Sequence, residues 1–317
     1  MEIIGSLRIL LHLLLIGLFA GTLGGLLGVG GGAVMVPALN LLLGWPYHLA
    51  VASSLFCMIW LSAASTYGHK KNGYILMGVV IRLVPVAAMF GIIGVLVSGV
   101  MPKLGFYVLF AAFLLAMAYK NIVKLLRNEP EEEPIAEFVG KRKWVTFLIA
   151  VPVGLVQGIM GIGGGAIAVP ALHSFLKLPL KNAIAISSAT IMFSSTIAAI
   201  TKMSFIEGMS VVLEGTGQLV TLHWYHAAII GGCMAVTALV CARVGAHLTK
   251  RLPTRTVRIV FVVLLLWAGY KYARKSYSTC CELLNAGAKP AVEAGAGETH
   301  VGTPPVNPEN TTNDQSP

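Results

Sequence analysis

The amino-acid sequence predicts an all-α polytopic membrane protein that contains two homologous repeats. Hydrophobic residues make up 56% of the 317 residues and charged residues only 11%, which leaves too few polar side chains to cover a water-soluble surface. In addition, the Gly-rich segment 21–39 recurs at 154–172, with identical residues at 11 of 19 positions. The shared positions are mostly Gly, Ala and Pro while the aliphatic residues differ, so the repeat preserves a backbone shape.

Apolar segments follow one another along most of the chain. A helix needs about 20 apolar residues to cross the hydrocarbon layer of a membrane. On this basis six segments can cross alone, namely 49–66, 75–100, 104–123, 183–200, 222–244 and 257–272. The others form two pairs separated by glycines, 9–27 with 33–43 and 145–160 with 166–176. Each repeat is therefore expected to hold four helical segments, the first of which is broken at its Gly-rich motif.

Composition divides the chain into four regions. The first transmembrane repeat covers residues 1–126 and the second covers residues 144–275. Between them, residues 127–143 carry many charges and two prolines, which is typical of an exposed linker. The tail, residues 276–317, is rich in small and polar residues and in proline, and it is predicted to be disordered.

The orientation of the two repeats depends on the path of the broken segment. As one straight helix, residues 9–43 would be about 50 Å long, which is too long for a single crossing. If the segment folds back, each half has three crossings and the halves are inverted. If it crosses, there are eight crossings and the halves are parallel. Counts of Lys and Arg on the two sides do not decide between these topologies. We expect the inverted form, because helices broken near the membrane midplane are typical of transporters with inverted repeats.

The glycine runs at residues 28–32 and 161–165 predict an opened backbone. Each Gly costs about 1 kcal/mol relative to Ala inside a helix, so consecutive glycines unwind it. A new half-helix then begins at Ala33 or Ala166, where free N–H groups and the helix dipole attract anions. Two such helix starts facing each other would hold one small anion without a buried Lys or Arg.

The predicted substrate-binding residues come from the two breaks and from polar side chains near them. The full set is Gly30, Gly31, Gly32, Ala33, Gly163, Gly164, Gly165, Ala166, Ser53, Ser54, Ser187, Ser188, Thr190, Thr22 and Gln157. For the Ser and Thr hydroxyls, a hydrogen bond to the carbonyl four residues earlier is an equally good interpretation.

Glycines that precede the breaks favour a different role. Gly17, Gly21, Gly25, Gly154 and Gly158 have the spacing of small residues through which membrane helices pack closely. We expect these glycines to lie in helix contacts and not at a ligand.

Other classes of function find little support. The net charge of +10 comes from Lys and Arg beside the apolar segments, and no basic and aromatic pattern indicates nucleic-acid binding. No Cys and His spacing predicts a metal site, and neither a cofactor nor a catalytic residue is expected. Arg82 and Arg243 lie in or near spans, where snorkelling is the ordinary role. Since no Asp or Glu lies in a clear span, a proton relay would fall to His12 or His173.

The motif at residues 28–39 and its copy at 161–172 are each followed by a Pro turn and a helix with a Ser pair. This arrangement resembles the TauE/SafE family of membrane permeases, and the resemblance covers nearly all of residues 7–275. It implies a multi-pass protein of the cytoplasmic membrane that moves sulfite, organosulfonates or related small anions, often outward. We therefore expect a secondary transporter of small sulfur-containing oxyanions that works by alternating access around the two broken helices.

Two alternatives stay open, a passive anion channel and a non-transporting membrane scaffold. The expected partners are a small inorganic or organic anion and the lipid bilayer, and not nucleic acid. The oligomeric state is left open, with a homodimer as one option.

Overall fold

The computed structural model of the chain describes residues 7–27, 30–127, 143–212, 219–248 and 254–288. The described helices are α1 (Leu7–Leu27), α2 (Gly32–Pro37, continued by a π-helical segment, Ala38–Leu42), α3 (Tyr47–Lys71), α4 (Met77–Val100), α5 (Lys103–Arg127), α6 (Lys143–Met160), α7 (Gly165–Leu176), α8 (Leu180–Ile206), α9 (Trp224–Leu248) and α10 (Thr254–Ala288). Strands β1 (Met209–Val212) and β2 (Leu219–Leu222) form an antiparallel hairpin between α8 and α9.

Six of the described helices contain a stretch long and apolar enough to cross a membrane. These stretches are Leu7–Gly24, Tyr47–Lys71, Met77–Val100, Lys103–Val123, Leu180–Ile206 and Trp224–Cys241. One expectation is corrected, because the start of α1 is itself long enough to cross without its partner segment. The predicted span 257–272 begins among residues whose side chains lie outside the described part of the chain, so it stays a prediction.

The chain divides into two compact units, residues 1–276 and 277–317. Helix α10 continues to Ala288, so residues 276–288 of the predicted tail are helical. The reason is local, because residues 270–286 contain no Gly or Pro that would end the helix. Residues 289–317 of the predicted tail, and residues 128–142 of the predicted linker, lie outside the described residues.

The helices pack in pairs that join the two halves of the sequence. Helix α1 lies against α9, α6 lies against α4, and α3 lies against α8. The hydroxyl oxygens of Ser65 and Ser188 are 3.0 Å apart, and Lys202 Nζ lies 2.9 Å from His48 Nδ1. Since the residue number on α8 rises as the number on α3 falls, these two helices run antiparallel.

Gly17 and Gly21 bring α1 into close contact with α9. A Cβ added to Gly21 would lie 2.5 Å from the carbonyl oxygen of Ala238, and Gly17 faces the backbone of Met234 in the same way. The predicted packing role of these two glycines is confirmed, whereas the surroundings of Gly25 lie outside the described part of the chain. Because the contacts advance together along both helices, α1 and α9 run parallel.

Gly154 and Gly158 make the corresponding contact between α6 and α4. Cβ atoms added to them would overlap the carbonyl oxygens of Ala87 and Gly91. The predicted packing role is confirmed here as well, and these two helices also run parallel. No side chain larger than hydrogen fits at these four glycines without moving a backbone.

Candidate functional site

The two Gly-rich segments contact each other, although they lie 133 residues apart in the sequence. The first segment separates α1 from α2, and the second separates α6 from α7. A Cβ added to Gly32 would lie 2.5 Å from the Gly161 carbonyl oxygen and 2.8 Å from the Cα of Ile162. Glycine at position 32 therefore allows one segment to approach the backbone of the other. Gly28 and Val29 lie outside the described residues.

Both segments have the same backbone conformation. Gly30 and Gly31 have φ angles of 84° and 55°, and Gly163 and Gly164 have φ angles of 86° and 62°. Residues with a side chain rarely enter this left-handed region. A new helix begins directly after each pair, so the turn that starts α2 is repeated at the start of α7.

The first turn of each new helix leaves one amide N–H without a backbone acceptor among the described residues, at Ala33 and at Ala166, whereas the amides of Gly32 and Gly165 donate to the carbonyl oxygens of Gly30 and Gly163. The Gly164 carbonyl accepts hydrogen bonds from the amides of Ile167 and Ala168 at 3.0 and 2.8 Å, and the Gly31 carbonyl is used in the same way. Helix starts of this kind carry the positive end of the helix dipole, so both breaks favour negative charge.

The thioether side chain of Met58 fills the space between the two breaks. Its methyl carbon lies 2.8 Å from the position of a Cβ added to Gly30, and it overlaps the corresponding position at Gly163. Met58 is 1% exposed, and residues 31–40 and 161–165 are buried around it. Most of the contact between the breaks is therefore buried, although Gly30 itself is partly exposed.

Ser53 and Ser187 occupy corresponding positions on α3 and α8 and share an unusual environment. Both residues are 0% exposed, and neither hydroxyl oxygen has a hydrogen-bond partner in the described part of the chain. A buried hydroxyl without a partner is unfavourable and calls for an explanation. Their sequence neighbours differ, since Ser54 donates to the Gly161 carbonyl oxygen at 2.8 Å and Ser188 pairs with a hydroxyl of α3.

Three other residues of the predicted site are held within the protein. The amide of Gln157 donates from Nε2 to Ser195 Oγ at 2.6 Å and accepts at Oε1 from Ser194 Oγ at 2.8 Å. Thr22 and Thr190 donate to carbonyl oxygens four residues earlier in their own helices. For these two residues the structure therefore shows the internal hydrogen bond, and Gln157 serves to join α6 to α8.

Asn40 and His173 occupy the same position in the two repeats and close similar turns. Asn40 Nδ2 donates to the Trp45 carbonyl oxygen at 2.7 Å, and His173 Nδ1 lies 2.9 Å from the Leu178 carbonyl oxygen. These contacts tie the end of each short helix to the chain that follows it. Both side chains thus have a structural role in the described residues.

A polar cluster of Lys202, His48 and Ser98 lies outside the predicted site. Lys202 is 0% exposed, and its Nζ donates to Ser98 Oγ at 2.7 Å and lies 2.9 Å from His48 Nδ1. The centroid of the Phe205 ring is 5.3 Å from the same Nζ. In the sequence, Lys202 comes two residues after the apolar segment 183–200 and resembles an ordinary lysine at a helix end. Nothing in the sequence predicts that His48 on α3 and Ser98 on α4 are its partners.

The fold and the site together define a multi-pass membrane protein in which each half contributes a Gly-rich segment to one buried contact. The family model for the sulfite exporter TauE/SafE matches residues 13–272. The chain therefore belongs to the TauE/SafE family, which confirms the resemblance of the paired motifs.

Several relatives are similar over most of their length, and their names describe membrane transporters. The probable membrane transporter protein YunE of Bacillus subtilis is 26% identical over 280 residues, which cover 81% of this chain and 94% of the relative. The probable membrane transporter protein MJ0441 of Methanocaldococcus jannaschii is 26% identical over 80% of this chain and 91% of its own length. A probable membrane transporter protein of Haemophilus influenzae is 26% identical, with coverages of 80% and 94%. No solved structure matches the chain.

Proposed function

We propose that this protein is a secondary transporter that exports small sulfur-containing oxyanions of the sulfite and organosulfonate class. The observation that carries the proposal is the contact between Gly32 and Gly161, where two breaks with the same backbone conformation meet. The description of the family as sulfite exporters supports the class of anion, and the relatives' names support transport.

Backbone amides are the main anion-binding groups in this proposal, at residues 30–33 and 163–166. A helix start holds an anion through its free N–H groups and the helix dipole, and it needs no buried cation to do so. The hydroxyls of Ser53 and Ser187 supply further donors from α3 and α8, because they have no partner in the described residues. Ser54 and Ser188 support the site by joining helices.

We further propose that residues 1–126 and 144–275 are inverted repeats. In the two repeats α1 is equivalent to α6, α3 to α8, and α4 to α9. The contact of α1 with α9 in this way has an equivalent in the contact of α6 with α4, and α3 contacts its own equivalent, α8. The antiparallel directions of α3 and α8 agree with inversion and not with parallel repeats. Inverted repeats allow alternating access, in which the halves rock about a binding site at their contact.

The described conformation is an occluded one in this mechanism. Met58 fills the space between the breaks, so an anion can enter only when this side chain moves. Methionine suits the task, because its unbranched side chain has several rotatable bonds. Met58 lies on α3, and rocking of α3 against α8 would therefore couple opening of the site to the exchange of sides.

Anion flux across proteoliposomes tests the proposal. Purified full-length protein is reconstituted, and uptake of labelled sulfite, sulfate, thiosulfate and sulfoacetate is measured over a range of concentrations and counter-ion gradients. We expect saturable sulfite flux that responds to a counter-ion gradient. Flux that rises without saturation would identify a passive channel, and the absence of flux for all four anions would identify a scaffold. Either result overturns the proposal.

A further inference from the structure

The polar cluster of Lys202, His48 and Ser98 lies near one end of the helix bundle, away from the Gly-rich breaks. Lys202 is four residues before the end of α8, His48 is the second residue of α3, and Ser98 is two residues before the end of α4. Ile191, also on α8, lies beside Gly30 at the first break. The eleven residues from position 191 to 202 span about 16 Å of helix. The cluster is therefore separate from the contact between the breaks.

Lys202 has no carboxylate partner among the described residues. The described side-chain carboxylates are those of Glu207 and Glu282. Glu207 is paired with His223 at 2.8 Å, outside the membrane-spanning part of α8. A buried ammonium group without a counter-charge is unfavourable inside a membrane protein, and such groups usually belong to a functional site. A bound anion would supply this counter-charge.

The donors of the cluster are held in place by packing. The ring of His48 lies 3.9 Å from that of Tyr47 and 5.7 Å from that of Phe205, measured between centroids. Ser98 accepts from Lys202 and donates to the Val95 carbonyl oxygen, so it positions the ammonium group. An ammonium group has three N–H donors, and an imidazole that accepts at Nδ1 carries its proton on Nε2. One N–H of Lys202 and the Nε2–H of His48 thus remain available to a ligand.

We propose that Lys202 and His48 form a second anion-binding site, which a small oxyanion occupies on its way to or from the breaks. The inference rests on the proposed transport of anions. One oxygen of the anion accepts a charge-assisted hydrogen bond from Lys202, and a second oxygen accepts from His48. Ser98 is a positioning residue.

The second site makes the two ends of the transporter unequal. When Ser53 is matched to Ser187, Lys202 corresponds to Gly68 and His48 corresponds to Asn182. Asn182 donates to the Tyr74 carbonyl oxygen at 2.9 Å, and this bond joins the start of α8 to the segment between α3 and α4. The ammonium group therefore has no counterpart in the first repeat, and the anion is collected at one end only.

Substitution of Lys202 tests the second site through both binding and transport. Lys202→Met keeps the length of the side chain and removes the charge, Lys202→Arg keeps the charge, and Lys181→Met changes an exposed lysine of the same helix. Folding of each full-length variant is checked by elution and thermal stability in detergent. Equilibrium binding of labelled sulfite and sulfate is measured in detergent, and flux is measured in proteoliposomes.

We expect Lys202→Met to weaken sulfite binding at least tenfold and to reduce flux, while Lys202→Arg retains part of both and Lys181→Met retains both. Wild-type binding and flux in folded Lys202→Met would overturn the second site, and so would equal losses in Lys202→Met and folded Lys202→Arg. If the wild type binds sulfite through Lys202 but moves no anion, the proposed transport fails and the second site stands. If Lys202→Met transports normally while changes at the breaks stop flux, the transport proposal stands and the second site fails.

Discussion

Among single residues of the predicted site, the two buried serines differ from the other hydroxyl residues. Ser53 and Ser187 lie at corresponding positions, are fully buried and have hydroxyl oxygens without a partner. In contrast, the hydroxyl of Thr190, on the same helix as Ser187, donates a hydrogen bond to the Ile186 carbonyl oxygen. The difference separates hydroxyls that are available to a ligand from hydroxyls that serve the helix. Sequence spacing alone could not make this distinction, because both arrangements use the same residue types.

Replacement of both serines by alanine tests their role. The Ser53→Ala, Ser187→Ala variant loses no hydrogen bond of the described conformation, so we expect unchanged or higher thermal stability, because an unpartnered buried hydroxyl is itself unfavourable. Loss of two donors to the anion should raise the KM for sulfite flux by roughly thirtyfold, on the basis of about 1 kcal/mol for each hydrogen bond.

The control is Thr196→Val, which removes a hydroxyl that donates to the Met192 carbonyl oxygen at 2.8 Å on the same helix. Its KM should stay at the wild-type value. A wild-type KM in the double serine variant would show that these hydroxyls do not bind the anion.

At the scale of elements, the helix breaks depend on glycine conformation. Gly164→Ala places a Cβ at φ 62° and 2.9 Å from the Val153 carbonyl oxygen. A residue with a side chain in this region costs about 1–2 kcal/mol, and relief of the contact must shift the start of α7. We expect at least tenfold slower flux for each folded molecule, measured in proteoliposomes after correction for the folded fraction.

Gly208→Ala is a matched control for this substitution. Gly208 has φ 75° and no atom within 4 Å of an added Cβ, so it incurs the backbone strain without disturbing a neighbour. Its flux for each folded molecule should equal that of the wild type. Equal flux in Gly164→Ala and Gly208→Ala would show that transport does not depend on the glycine conformation at position 164.

Close packing between helices is a second property at this scale. Gly21→Ala directs a Cβ at the backbone of Ala238 and should lower the free energy of unfolding by about 1–3 kcal/mol. Gly232→Ala, on α9, meets no atom within 4 Å and should be neutral or stabilising, since Ala favours a helix over Gly. Thermal stability of the two variants in detergent measures the difference. A Gly21→Ala variant as stable as Gly232→Ala would contradict the packing role.

At the scale of the whole molecule, the pairing of helices bears on topology. Inverted repeats place the starts of α1 and α6 on opposite sides of the membrane, whereas parallel repeats place them on the same side. Leu7 is the first residue of α1 and Trp144 is the second residue of α6, so cysteines at these positions report the side on which each helix begins. In a background without the native cysteines, we expect a membrane-impermeant maleimide to label only one of the two in intact cells.

Permeabilised cells provide the control, because both single-cysteine variants should then be labelled. Labelling of both positions in intact cells would place the two helix starts on the same side. The same result would exclude the inverted arrangement of the repeats.

The sequence by itself determined the class of protein and much of its local structure. Its apolar composition required a membrane, and its repeated motif located the helix breaks and the family. The spacing of Gly17, Gly21, Gly154 and Gly158 was sufficient to predict helix packing, because spacing along a helix directly records which residues share a face. These properties depend on residues that are close together in the sequence, so they can be predicted from the sequence alone.

The tertiary structure decided which groups meet across long separations. It brought Gly32 to Gly161, placed Met58 between the breaks, and put Lys202 beside His48, which is 154 residues away in the sequence. Periodicity and composition contain no information on such partners, because the contacts depend on the packing of whole helices. The same packing left the Ser53 hydroxyl without a hydrogen-bond partner among the described residues. Whether a polar group is bonded within the protein was therefore decided by the fold.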